Sequence, residues 1–174
     1  DGTRPRPGTE GGPGEVTTYS RAVESNDLDA MAAALADGDV AAVLMEPALT
    51  NIGIVLPERG YLDRVRALTR DAGTLLIIDE THTLSAGPGG ATAAWGLEPD
   101  VVTLGRTIGC GLPAGAYGLA DDLGQRVAAF AESDLIDAGG VGGTLAGNAL
   151  SVAAMRATLT EVLTADAFDH MTAL

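Results

Sequence analysis

Three short apolar runs, Val40 to Glu46, Thr74 to Asp79 and Val101 to Gly105, alternate along the chain with stretches of helical periodicity. Apolar runs of this length read as buried strands, and the continuous Leu and Ile of Thr74 to Asp79 suit a strand covered on both faces. Asn26 opens a helical pattern with Leu28, Met31, Ala32 and Leu35 on one face, and can itself cap it. Leu62, Val65, Leu68 and Ala72 mark a second helix, closed by Gly73. This alternation predicts an α/β fold in a three-layer arrangement, a mostly parallel sheet with helices on both faces. Gly115 to Ala120 is expected to add an antiparallel strand, because its connection is short, and Asp121 to cap a helix bearing Leu123, Val127 and Phe130. A long helix is expected after the turn Gly139 to Gly143, with Leu150, Met155, Leu159 and Val162 on its buried side.

Residues 1 to 25 form a loop-like lead-in broken by Pro5, Pro7 and Pro13, residues 26 to 165 the body, and 166 to 174 a helix end. A net charge of −14 speaks against nucleic-acid and anionic-membrane partners, and its simplest meaning is solubility. No apolar run is long enough to span a bilayer, and no signal peptide is evident at the start. The single cysteine, Cys110, excludes an internal disulfide framework and fits a reducing compartment, so a cytoplasmic location is expected.

Two of the apolar runs end in carboxylates: Glu46 before Pro47, and Asp79 followed by Glu80. Ligands of open parallel sheets bind beyond the carboxyl ends of the strands, which places Asp79 at a ligand site by pattern. A helix-capping or loop aspartate is the other reading. Acidic pairs such as Asp121-Asp122 lack metal-ligand spacing, and no metal is expected. Gly109-Cys110-Gly111-Leu112-Pro113-Ala114 formally fits a dinucleotide fingerprint, but Pro113 falls where the helix should run and no ribose-binding acid follows. Cys110 as a nucleophile would need His82 or His170, neither in a recognisable pairing; a small buried loop cysteine is the simpler reading.

Six blocks occur in order: Glu46-Pro47, Asn51-Ile52-Gly53, Asp79-Glu80, Pro99-Asp100, Gly109 to Gly118, and Gly142-Gly143-Thr144-Leu145-Ala146-Gly147-Asn148. Together they resemble the class III aminotransferases, which bind pyridoxal 5'-phosphate (PLP), and lie nearest the glutamate-1-semialdehyde aminomutase branch. The resemblance covers about residues 27 to 165 and implies the central part of the PLP-transferase large domain, without the C-terminal small domain.

The resemblance also implies site roles. Asp79 would accept a charge-assisted hydrogen bond from the cofactor's protonated pyridine nitrogen, which strengthens the ring as an electron sink. Thr81 takes the place of the residue packing on the ring face. His82 would orient a phenolic or substrate group, or is a loop histidine hydrogen-bonded to backbone. Thr144, with the amide of Gly143, would bind the phosphate of a neighbouring subunit's cofactor, which implies a homodimer. Glu46 and Asn51 either line the site or serve strand-end roles.

Arg106 stands where the family carries its Schiff-base lysine, and all ten cationic side chains of the chain are arginine. A guanidinium stays protonated and cannot act as a neutral amine nucleophile. Two function classes follow. One is a PLP-dependent aminotransferase or aminomutase, moving an amino group between a small amino donor and a carbonyl acceptor. The other is a non-catalytic homologue or partner subunit that holds PLP or pyridoxamine phosphate (PMP).

Overall fold

The structure is a computed structural model that describes residues 19–131 and 145–174. These divide into two compact units. One takes the described residues up to Ala41 together with Pro57–Thr74, and the other takes Ala42–Leu56 and the residues from Leu75 onward.

In the first unit, α1 (Leu28–Leu35) buries Met31 and Leu35 and packs against α2 (Tyr61–Asp71). The α1 cap is Asp27, not Asn26: the Asp27 carboxylate accepts from the Ala30 amide at 2.8 Å. Asn26 instead adopts a left-handed φ of 66° and accepts from the Glu58 amide at 2.8 Å. Its side chain serves a tertiary tie, which releases the cap position to its neighbour. Gly73 ends α2 with φ +68°, the conformation a helix-terminating glycine supplies without strain.

The second unit holds a four-stranded sheet of β1 (Ala42–Met45), β2 (Leu75–Asp79), β3 (Val101–Leu104) and β4 (Ala116–Leu119), in the order β1-β2-β3-β4. The β1–β2 and β2–β3 pairs are parallel, and β4 runs antiparallel to β3, as its short connection requires. The fold is α/β. On central strand β2, Leu76 and Ile78 are buried. Strand β1 is an edge of this sheet and differs from the buried strand expected there, since Leu44 is 65% exposed. Asp100 extends the β2–β3 ladder: its carboxylate accepts from the Leu76 amide at 2.7 Å, and its own amide donates to the Leu76 carbonyl at 2.9 Å. The Pro99-Asp100 block is thus a strand clamp.

The β2–β3 connection contains a 3₁₀ turn (Thr83–Ala86) and α3 (Gly90–Trp95), a short helix without apolar periodicity. A second 3₁₀ turn (Arg106–Gly109) follows β3, and α4 (Asp121–Ala131) carries Asp121 and Asp122 in its first turn, where the helix dipole favours them. The expected long helix is divided into α5 (Ala149–Ala157), a π-helical turn (Thr158–Val162) and α6 (Ala165–Thr172). Its expected buried side is not buried: Leu150 is 67% and Leu159 53% exposed, and Val162 is also exposed. Met155 is half-buried, and Thr158 and Phe168 are the buried residues of this stretch.

Candidate functional site at the carboxyl ends of the strands

Parallel pairing of β2 with β3 sets Asp79 opposite Thr103, so both sit at the same end of the sheet. The Asp79 carboxylate accepts from the Thr81 amide at 2.9 Å and from the Thr103 hydroxyl at 3.1 Å, both on Oδ1. Neither of these two bonds uses Oδ2. Burial of Asp79 by itself raises its pKa, but the Thr81 side chain and amide, the Thr103 hydroxyl and the nearby His82 outweigh it. The carboxyl therefore titrates below the ordinary aspartate range and is ionised at neutral pH. A carboxylate anchored through one oxygen can hold a protonated ring nitrogen with the other.

Gly105 brings the end of β3 against Thr81: a Cβ there would lie 3.4 Å from both Thr81 Cγ2 and Oγ1. Arg106 follows directly. It is exposed, adopts a left-handed φ of 44° and has no hydrogen-bond or ion-pair partner among the described residues. Positive φ is uncommon for a non-glycine residue, and here it turns the chain sharply as it leaves the strand. Cys110 closes the same 3₁₀ turn with φ 47° and is exposed, which corrects the expectation of a buried loop cysteine. The tight Cys110–Gly111 turn carries its side chain outward. Helix α5 packs on this turn, and the Ser151 hydroxyl donates to the Pro113 carbonyl at 3.0 Å.

His82 is half-buried beside Thr81; its carbonyl accepts from the Ser85 hydroxyl at 2.7 Å, while its imidazole has no hydrogen-bond partner among the described residues. Glu46, just after β1, accepts from the Thr50 hydroxyl at 2.6 Å and braces the loop that follows. Asn51 is exposed in that loop, bridged to Gly53. Gly143 and Thr144 lie outside the described residues. The ends of β2 and β3 thus set Asp79 and Thr81 beside Thr103 and Gly105, with His82 and Arg106 next along the chain and Glu46 and Asn51 engaged in their own loop.

The motif reading gave two residues here no role. Thr103 stands out as the polar residue of an apolar strand, and its role needed the β2–β3 register. Glu80 is fully buried and bonded to α3, which only the tertiary structure places beside it.

An α/β sheet with an ionised aspartate at one strand end, beside a tight glycine-flanked turn at the next, is the arrangement that sequence comparison then places. The chain belongs to the class III aminotransferases: the profile described as "Aminotransferase class-III" matches residues 14–174. It is 42% identical over 164 residues to a glutamate-1-semialdehyde 2,1-aminomutase of Chloroflexus aurantiacus, covering 92% of this chain and 36% of that protein. A solved glutamate-1-semialdehyde-aminomutase from Pseudomonas aeruginosa PAO1 superposes with a TM-score of 0.88 at 49% identity, covering 97% of this chain and 38% of that one. A lysine-to-alanine variant of a Pseudomonas aeruginosa PAO1 glutamate-1-semialdehyde-aminomutase, solved in complex with PMP, gives 0.81 at 52% identity over 87% of this chain and 34% of that one. A β-phenylalanine aminotransferase from Variovorax paradoxus gives 0.69 at 29% identity, over 84% and 33%. The chain thus spans little more than a third of the length of its curated relatives. No helix among the described residues is long and apolar enough to cross a membrane.

The residues present fit PLP or PMP as a non-covalent ligand, since Asp79 offers an ionised acceptor anchored through Oδ1. They do not fit covalent attachment, because the 174 residues contain no lysine.

Proposed function

We propose that this chain is the central part of the large domain of a PLP- or PMP-binding protein built for amino-group transfer, of the glutamate-1-semialdehyde aminomutase type. The observation that carries the reading is Asp79: a partly buried, ionised carboxylate fixed through Oδ1 by Thr81 and Thr103 at the carboxyl end of a parallel strand. Family membership and a PMP-bound relative support the cofactor class. The cofactor supplies an electron sink that makes bonds next to an amine labile. Asp79 would hold the ring-nitrogen proton, because an ionised carboxylate favours the protonated partner. Thr81 would pack on the ring, and His82, with its imidazole unpartnered, would orient a polar group of the ligand. Gly143 and Thr144 would contribute to a phosphate site shared across a homodimer, in a cytoplasmic protein acting on a small amino donor and a carbonyl acceptor.

Arg106 favours a second reading, that of a non-catalytic homologue or partner subunit which retains the cofactor without transferring amino groups. A guanidinium at this position can hold a phosphate or carboxylate by paired hydrogen bonds but cannot alternate between amine and ammonium at neutral pH. The two readings share the binding site and differ in turnover. Equilibrium titration of the protein with PMP tests the shared part, and saturable binding that dialysis reverses is expected. Absence of saturable binding would remove the cofactor reading. Steady-state assay with an amine donor and a carbonyl acceptor separates the two, since the second predicts binding without turnover.

A further inference from the structure

Glu80 is 1% exposed, yet neither cofactor binding nor transfer uses its carboxylate. The Thr83 hydroxyl donates to its Oε2, the Ala91 amide donates to Oε2 at 3.1 Å, and the Thr92 amide donates to Oε1. Its backbone is tied as well, with its amide donating to the Thr103 carbonyl at 2.9 Å and its carbonyl accepting from the Leu84 amide at 3.0 Å. A buried carboxylate is costly without such donors, so loss of one loosens the whole set. Space around it is closely fitted: a Cβ on Gly90 would fall 2.4 Å from Oε2 and 2.8 Å from Cδ. The Thr92 hydroxyl is buried with no hydrogen-bond partner among the described residues, so this threonine meets Glu80 through its amide alone.

Glu80 is also the residue spanned by the Asp79–Thr81 bond, in which the Thr81 amide donates to Asp79 Oδ1 at 2.9 Å. Rotation of the Glu80 backbone would pull those two partners apart. We propose that Glu80 is a positioning residue: through it, α3 and the Thr83–Ala86 turn lock the Asp79–Thr81 turn, which holds Asp79 Oδ1 in place and leaves Oδ2 for the ligand. What Oδ2 receives rests on the function proposed above, while the tether itself does not.

Thr83→Val and Gly90→Ala test this, because each disturbs the tether from a different side and leaves the Glu80 charge in place. The first readout is amide hydrogen exchange at Thr81 in protein without added cofactor, with Arg126 in α4 as a distant reference. The second is PMP affinity. Thr81 exchange is expected to accelerate roughly tenfold relative to Arg126 in both variants, with PMP affinity falling by a similar factor. Unchanged Thr81 exchange would overturn the proposal, as would faster exchange with undiminished PMP affinity. Should Gly90→Ala fail to fold, Thr83→Val, which removes one donor, decides alone. If the wild-type protein itself shows no saturable PMP binding, the cofactor reading falls and Thr81 exchange alone decides the tether.

Discussion

Asp79→Asn separates the structural work of this aspartate from its proposed work on a ligand. The asparagine carbonyl oxygen can take the place of Oδ1, accepting from the Thr81 amide and the Thr103 hydroxyl, so the strand end keeps both bonds. Its NH₂ group then occupies the position of Oδ2 and offers donors where a protonated ring nitrogen needs an acceptor. A hydrogen bond to a charged group is worth about 1.5–3 kcal/mol, so PMP affinity should fall roughly 10- to 150-fold. Isothermal titration of both proteins measures this directly. The absorption spectrum of bound PMP should also show the ring nitrogen losing its proton at lower pH in the variant. Stability follows a separate course. Because the folded-state pKa of Asp79 is lowered, its ionised form favours the fold above the ordinary carboxyl pKa, and that contribution is lost as pH falls through the folded value. Denaturant midpoints of wild type and variant should therefore converge in acid, with only a small gap at neutral pH because solvent screens the partly exposed carboxylate. Equal PMP affinity and an unchanged bound spectrum in Asp79→Asn would refute the role given to this carboxylate.

Asp100→Ala should destabilise the protein by about 1.5–3 kcal/mol in urea unfolding, because the Leu76 amide loses its charged acceptor in the sheet. Asp27→Ala should cost about 0.5–2 kcal/mol through the lost α1 cap, whereas Asn26→Ala should leave α1 capped and expose the Glu58 amide instead. Gly73→Ala meets no atom within 4 Å, so its cost should be that of a left-handed alanine, about 1–2 kcal/mol by the same assay.

Most of the sheet was legible because a central strand leaves a continuous apolar run, as in Leu75–Asp79, although only Leu76 and Ile78 are buried there and Leu75 and Ile77 are half-buried, and because short connections dictate direction, as for β4. Asp79 and Arg106 were legible because each falls at the end of such a run. Tertiary partners account for what was not. Asn26 and Asp27 are both good caps, and the Glu58 amide decides between them. Leu150 and Leu159 have the spacing of a buried face, but spacing does not supply the segment that covers it. Short α3 has no periodic stripe to read, since its start is organised by the Glu80 carboxylate rather than by an amphipathic face. Thr103 becomes a site residue only once the β2–β3 register is known.

In the function proposed above, the strand-end site binds PLP or PMP without an amine to hold it covalently. Borohydride reduction of the wild-type protein and of Arg106→Lys, each saturated with PLP, tests it most directly, with the retained cofactor located by peptide mass. The wild type should release all of its cofactor on denaturation, as the free reduced alcohol, and Arg106→Lys should retain a cofactor mass at residue 106. A borohydride-trapped adduct on a side chain of the wild type would show that the site holds its cofactor covalently after all.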